Sequence, residues 1–317
     1  MNRQRGIALI TAVLVVALAA IAATAILSSA NIAIRRTANL QDSEKAWWYA
    51  SGVESWAKSL LDRDRDENQI DALGDLWARP VDYLPTDEGF LRGAIIDHQG
   101  CFNLNNLGTT QPDAYRQQAE IFVRLASLLE AGDASYARTL AARIHDWVDA
   151  DNEPAVLDNA YGAEDSEYLS ISPSYRVANR PMTSVSELLA VKDVTPEVFQ
   201  KLRPAICVLP QTGTTINVNT AVEPLMRALA TQPSPGLEAF LRSRGEQPVK
   251  TPQELFEPAR NVYGANDARV ELMTAKSQFF QLRAEAFVGS GRVALYSSLY
   301  RPDQGLPAVY GRSIQTD

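Results

Sequence analysis

The sequence predicts an α+β fold: a long N-terminal helix packed on an antiparallel sheet that is interrupted by a large α-helical insert. Three observations carry this. A run without charged side chains from Ile7 to Ile34 passes unbroken into an amphipathic stripe. Near its end the chain changes to a period of two ahead of a Gly-Ser-Gly turn, with β-branched and aromatic residues after it. Between Thr110 and Thr274 the apolar residues recur with helical period.

The first run is long enough to cross a bilayer, which takes ~20 apolar residues. Arg3 and Arg5 before it place the N-terminus in the cytoplasm, and Arg35 and Arg36 beyond it oppose that bias. Three readings stand at this point. One is a cleaved secretory signal with small-x-small sites at Ala23-Thr24-Ala25 or Ser28-Ser29-Ala30, though the apolar run exceeds an ordinary h-region. Another is a retained signal anchor. The third is a type IV prepilin-like leader, MNRQRG, cleaved between Gly6 and Ile7 so that the apolar helix is kept.

The helix does not end at the membrane. From Ile32 to Asp62 there is no Pro, and Gly52 is the one Gly. Trp47, Ala50, Val53, Ala57 and Leu60 recur every three or four residues, a stripe that seeks a partner surface. One helix of roughly 50 residues would be about 80 Å long. Trp47, Trp48 and Trp56 read as packing residues. The following "DRDRDEN" reads as a solvated hinge.

Strands are expected in "GFLRGAIIDHQGCFNLNNLG", broken at Gly100, and in a C-terminal hairpin. There Leu282, Ala284, Ala286 and Val288 alternate with Arg283, Glu285 and Phe287, "GSG" makes the turn, and Val293–Tyr300 follows in β-branched and aromatic company. Residues Tyr115–Ala131 and Tyr136–Ala150 read as helices with Leu125, Leu128, Leu129, Leu140, Ile144 and Trp147 as core. "FNLNNLG" and "INVNTAVEP" share an apolar-Asn-apolar-Asn pattern, and "PQELF" echoes "VSELL". Two related helical units are thus suggested.

Net charge is −8, against the basic footprint of a nucleic-acid binder. "TSVSELLAVKDVTPEVFQKLRPAICVLP" resembles a helix-hairpin-helix with Ser184 or Ser186 and Thr195 as caps. Its turn, Lys192-Asp193-Val194, has no glycine and puts a carboxylate where phosphate would approach, so a structural use is favoured. Cys101 and Cys207 form one disulfide if the body lies outside the cytoplasm, or stay as two buried thiols otherwise. No nucleophile elbow, phosphate loop, zinc helix or Cys-x-x-Cys is present, and His145-Asp146 is the nearest thing to a catalytic pair. Neighbours on a helix diverge, so the chain reads as a non-enzyme.

One loop carries ligand chemistry. Between Arg143 and Arg176 there are eight carboxylates and no Lys or Arg. Asp149, Asp151, Glu164 and Asp165, with Asn152 and Asp158 less strongly, are candidate oxygen ligands for a hard cation such as calcium. The spacing is not that of an EF-hand, and a solvated acidic loop is the competing reading.

The leader, "EKAWWYASGVESWA" at residues 44–57 and the later motifs together resemble the K-type minor pseudopilins of type II secretion, the GspK family. The likeness spans essentially the whole chain. It implies a leader at 1–6, a transmembrane and amphipathic helix at 7–62, a pilin-like α/β domain at 63–109 and 275–317, and a SAM-like insert at 110–274. In most pilins the fifth mature residue is Glu; here it is Thr11, within an anchor that includes Ile10, Leu14 and Leu18, as in the K-type subfamily. The resemblance further implies calcium in the acidic loop and cleavage by a prepilin peptidase followed by methylation. It implies an inner-membrane anchor with a periplasmic body at the tip of the pseudopilus. Implied partners are I-type and J-type minor pseudopilins with H-type, the major pseudopilin below, the inner-membrane assembly platform and secreted substrate proteins. A signal-anchored periplasmic protein binding calcium or another ligand is the rival reading.

Overall fold

The computed structural model describes residues 4–230, 234–263 and 268–315. Of the leader expected at 1–6, residues 1–3 lie outside the described residues. Helix α1 spans Gln4–Glu67, about 96 Å at 1.5 Å per residue. Its apolar half is long enough to cross a membrane, with a window of mean hydropathy 2.7 and no buried residue. Its second half buries Ala46, Ala50, Val53, Ala57 and Leu61. This stripe is one residue off the expected one at each end. Alanine at three of these positions lets the helix lie close on the sheet. Trp47 packs at its margin, whereas Trp48 and Trp56 are 66% and 51% exposed.

The expected hinge is helical through Glu67. Asp62, Asp64 and Arg65 have fixed partners, which removes the reason for a solvated break. Arg65 meets Asp62 at 2.6 Å and donates to the carbonyl of Pro302. Asp64 is buried against Arg301.

Strands β1 (Val81–Thr86), β2 (Gly89–Asp97), β9 (Phe279–Val288), β10 (Gly291–Tyr300) and β11 (Ala308–Ile314) form one antiparallel sheet in that order. The central pair, β2 and β9, is contributed by both ends of the domain, with Phe90 opposite Phe287 and Leu91 opposite Ala286. Leu91, Phe280, Leu282, Ala284 and Leu295 face α1. Inside this layer Glu54 of α1 is 4% exposed, accepts from Ser297 Oγ at 2.7 Å and takes two bonds from Arg312, at 2.7 and 2.8 Å.

The insert leaves after β2 and returns before β9, so neighbouring strands hold both its ends. It contains β3 (Phe102–Asn103), α2 (Pro112–Leu128), α3 (Ala134–Val148), β4 (Val156–Leu157), β5 (Ala160–Tyr161), α4 (Asp165–Tyr168) and α5 (Pro196–Leu202). Then follow β6 (Ile206–Cys207), β7 (Ile216–Asn217), α6 (Glu223–Leu229), α7 (Pro235–Ser243) and β8 (Met273–Thr274). Leu125, Leu140, Ile144 and Trp147 join its core, while Leu128 is 49% exposed.

The two-unit pattern is repeated in hydrogen bonds. β3 pairs in parallel with β6, and β7 with β8. Asn103 Oδ1 accepts from Asn105 N, and Asn217 Oδ1 from Asn219 N. The Asn105 amide then bonds both backbone groups of Met182, and Asn219 does the same to Val249. Each is followed by a capping box, Ser184 with Glu187 and Thr251 with Glu254.

In the hairpin-like segment the first helix is a 3-10 turn over Val185–Ala190, capped by Ser184. Asp193, at φ 62°, is bonded by Arg143 at 2.5 Å. The carboxylate in that turn therefore ties the unit together. Cys101 and Cys207 are joined, Cα to Cα 5.7 Å, beside Leu209 and Phe279. The bond fastens β6 of the insert to the segment just after β2, with the start of β9 packed beside it.

Candidate metal centre

The last turn of α3 and the loop after it supply the site. Asp146 and Asp149 are three residues apart and so share a helix face. Asp146 is fully buried and Asp149 is 7% exposed. The chain then turns through Asp151, makes the β4–β5 hairpin and passes Gly162 to Glu164. A Cβ on Gly162 would lie 1.8 Å from Asp146 Oδ2, so a side chain there would displace the Asp146 carboxylate. Glu164, 4% exposed, begins α4.

This path gathers Asp149, Asp151 and Glu164, with one carboxylate oxygen of each within 4.8 Å of the others. Both oxygens of Glu164 are buried without a hydrogen-bond donor, as are Asp149 Oδ1, Asp146 Oδ2 and Asn179 Oδ1. Buried carboxylate oxygens without donors or counter-charge carry a large desolvation penalty. Burial first, then Asp146, Asp149, Asp151 and Asp165, push the Glu164 carboxyl up to about 7. Burial and Asp149 push Asp146 up to about 6, against a bond from the Ala155 N–H.

His145 packs beside these carboxylates. Its Nδ1 is 2.5 Å from the Leu107 carbonyl and its Nε2 is 3.1 Å from Asp149 Oδ2. Both partners are acceptors, an arrangement that favours protons on both ring nitrogens. Burial lowers the ring's pKa, but these hydrogen bonds and the charges of Asp149 and Asp146 raise it overall. His145 thus pairs with the residue four positions on, and with Asp146 it makes no catalytic pair.

The other candidates lie around the trio. Asn152 Oδ1 accepts from Asn179 Nδ2 at 3.1 Å. Asp165 is used by its own loop, accepting from Val177 N at 3.2 Å and Arg176 at 3.3 Å. Asp158 sits in the β4–β5 turn at φ 47°, 4.0 Å from Arg116 and from Arg138. Asp146 and Asn179 were missed; the i, i+3 spacing of Asp146 and Asp149 on one helix was the available signal. A donor set of carboxylates with an amide oxygen suits a hard divalent cation. A second carboxylate group, Asp64, Asp71 and Asp75, lies where α1 ends. Arg301 already occupies it.

Comparison with known proteins agrees with this architecture. Residues 100–211 match the family model described as Type II secretion system (T2SS), protein K. Type II secretion system protein K of Aeromonas hydrophila is 32% identical, over 95% of this chain and 94% of its own length. The Pseudomonas aeruginosa protein of the same description is 33% identical, over 98% and 93%. Among solved structures, a chain of the GspK-GspI-GspJ complex from the enterotoxigenic Escherichia coli Type 2 Secretion System superposes with a TM-score of 0.76 at 27% identity. That match covers 89% of this chain and all of the other. With its long apolar helix, five-stranded sheet and duplicated helical insert, the chain belongs to the type II secretion system protein K family, the pilin-like minor pseudopilins known as GspK.

Proposed function

We propose that this minor pseudopilin caps the tip of the pseudopilus, where it starts assembly with I-type and J-type subunits and limits filament length. The H-type joins the I-type and J-type partners, and the major pseudopilin lies below. Its role is structural and non-catalytic. The observation that carries the tip position is Thr11. Its hydroxyl donates within its own helix, to Ile7 O at 3.1 Å and Ala8 O at 3.0 Å. A polar group satisfied internally asks nothing of a subunit ahead, whereas a carboxylate in this apolar run would need one. The insert adds a second reason, since its bulk above the sheet obstructs stacking of another subunit on top.

Before assembly α1 anchors the chain in the inner membrane, N-terminus inside and body in the periplasm, after cleavage between Gly6 and Ile7. Leu40, Trp48 and Trp56 are exposed on α1 above the apolar half. Exposed tryptophans beside a membrane-length helix suit packing against the helices of neighbouring pseudopilins. Calcium is the proposed occupant of the Asp149, Asp151 and Glu164 site, where it would satisfy the buried oxygens and hold the loop; Asp146 supports the site from α3.

Two measurements test this. Mass spectrometry of the mature N-terminus should find Ile7, N-methylated, in the presence of a prepilin peptidase and not without it. Full-length protein mixed with I-type and J-type subunits in detergent should form a ternary complex, weakened about tenfold or more by Trp48→Ser with Trp56→Ser. An intact Met1 in both samples and no complex would leave the signal-anchored calcium-binding protein as the better reading.

A further inference from the structure

The sheet has a second face, turned away from α1, and its residues are unlike the rest of the chain. On the strand residues that point outward, Arg92, Arg283 and Arg292 surround one carboxylate, Glu285. Glu285 is 5% exposed and is met by Arg283 at 2.7 Å and Arg292 at 3.6 Å. This local excess of positive charge stands on a chain of net charge −8. The guanidiniums are held on aromatic rings. Phe90 and Phe287 stack at 4.4 Å, Arg92 lies 5.4 Å from both, and Arg292 lies 5.1 Å from Phe287. Arg283 stands 5.9 Å from Tyr296. Arginine over aromatic rings is the composition of a recognition surface rather than of a solvated face.

Tyr296 links this platform to a cleft. Further along the same face, between the sheet and the insert, runs an open cleft of about 1000 Å³. Ala94, Ile96 and Ser298 line it from the sheet, and Val185, Phe199 and Val208 from the insert. One side is bounded by Gly311 and Ser313 of β11, an edge strand, which pairs within the sheet with β10 alone among the described strands. The Cys101–Cys207 bond closes the insert end. An apolar trough beside an unpaired strand edge fits an extended polypeptide, whose main chain finds partners on the edge and whose alternate side chains enter the trough.

We infer that this outer face binds an extended segment of a soluble protein outside the filament, with carboxylates on the Arg92, Arg283 and Arg292 platform and apolar side chains in the cleft. The acidic end is fixed by charge complementarity. The source is argued from position, because the face is opposite α1, whose exposed Leu40, Trp48 and Trp56 are assigned above to neighbouring pseudopilins. The inference rests on the assembly role proposed above in that one respect.

The test uses the full chain in detergent and a fluorescein-labelled decapeptide of four glutamates followed by alternating valine and threonine. Analogues carry lysine or serine in place of the glutamates. The acidic peptide should bind in preference to both analogues and weaken with added salt. Arg283→Glu with Arg292→Glu should weaken it at least about tenfold. Ser298→Trp, which plugs the cleft from the sheet side, should also release it, and unchanged thermal unfolding of each variant shows that the fold is intact. Equal binding of the acidic and lysine peptides, or parent-like binding by the arginine variant, overturns the inference. So does loss of the complex with I-type and J-type subunits in the arginine variant, which would assign the face to the filament. Arginine-dependent self-association would overturn it by assigning the face to a second copy. Failure of the parent chain to form that complex, with peptide binding intact, would instead count against the assembly role.

Discussion

Arg301 lies between Asp64 and Asp71, its Nη1 3.1 Å from the first carboxylate and its Nη2 2.5 Å from the second, with all three side chains withdrawn from water. The guanidinium also rests 4.8 Å from the Phe280 ring and donates to the Ser277 carbonyl. The end of α1, the loop after it and the last strands thus meet at one charge. Arg301→Met removes the cation and leaves two buried carboxylates. Urea unfolding should show a loss of about 3–5 kcal/mol. A triple variant with Asp64→Asn and Asp71→Asn should recover much of that loss, because the stranded charges go too.

Asp64 and Asp97 give this junction a pH dependence. Burial is the largest cause for each and pushes both up to about 6. Asp71 and Asp75 raise Asp64 further, against Asn68 and Arg301. Bonds from Ser277, Thr220 and Gln99 oppose the shift at Asp97. A carboxyl whose folded pKa lies above its unfolded value of about 3.9 binds its proton more tightly in the native state. Its contribution to stability therefore rises as pH falls through about 6 toward 4, and is unfavourable above that window. In chelator, the unfolding free energy should increase from pH 7.5 to pH 5.0. Asp64→Asn should flatten the slope.

The acidic site should respond with opposite signs to one substitution. In chelator, Glu164→Gln removes a carboxylate from a crowded, buried group and should raise the melting temperature. In millimolar calcium it removes a ligand and should lower the melting temperature below that of the parent. Differential scanning calorimetry in both buffers reads the crossover. Absence of any calcium effect on the parent protein would remove the metal from the site. Gly162→Ala should weaken calcium binding, because its methyl group displaces Asp146, and should do so although glycine offers no ligand atom.

The disulfide closes a loop with a sequence separation of 106. Cross-linking a loop of this size restricts the unfolded chain, and its loss typically costs about 2–5 kcal/mol. Cys101→Ser with Cys207→Ser should show that loss in urea. The same variant should loosen the insert end of the outer cleft, seen as faster amide exchange around Leu209 and Phe279.

Local signals made much of this molecule readable. An uncharged run followed by a stripe at helical spacing states α1, and the period-two run from Leu282 to Val288, with β-branched and aromatic residues after Gly-Ser-Gly, states β9 and β10. Thr11 is a one-residue observation that needs no structure. Asp149, Asp151 and Glu164 were legible as oxygen donors because carboxylates crowd one loop with no cation among them. The duplication was visible as two Asn-x-Asn patterns, and the bonds of Asn105 and Asn219 gave it a cause.

What the tertiary structure decided depends on partners far apart in the chain. "DRDRDEN" reads as solvent-loving by composition, yet Asp64 is buried because Arg301, 237 positions away, lies beside it. Asp146 looked like half of a diverging pair; it belongs to the acidic site because Gly162 lets the returning chain touch it. Asp158 was a weaker ligand candidate from the sequence, and the β4–β5 turn carries it to Arg116 and Arg138 instead. Sequence by itself determined the elements and the chemistry they carry, since period and side-chain type are local properties. Which charges are buried together, and which face of the sheet gathers three arginines, came from the fold, since low dielectric and proximity exist after the chain has closed on itself.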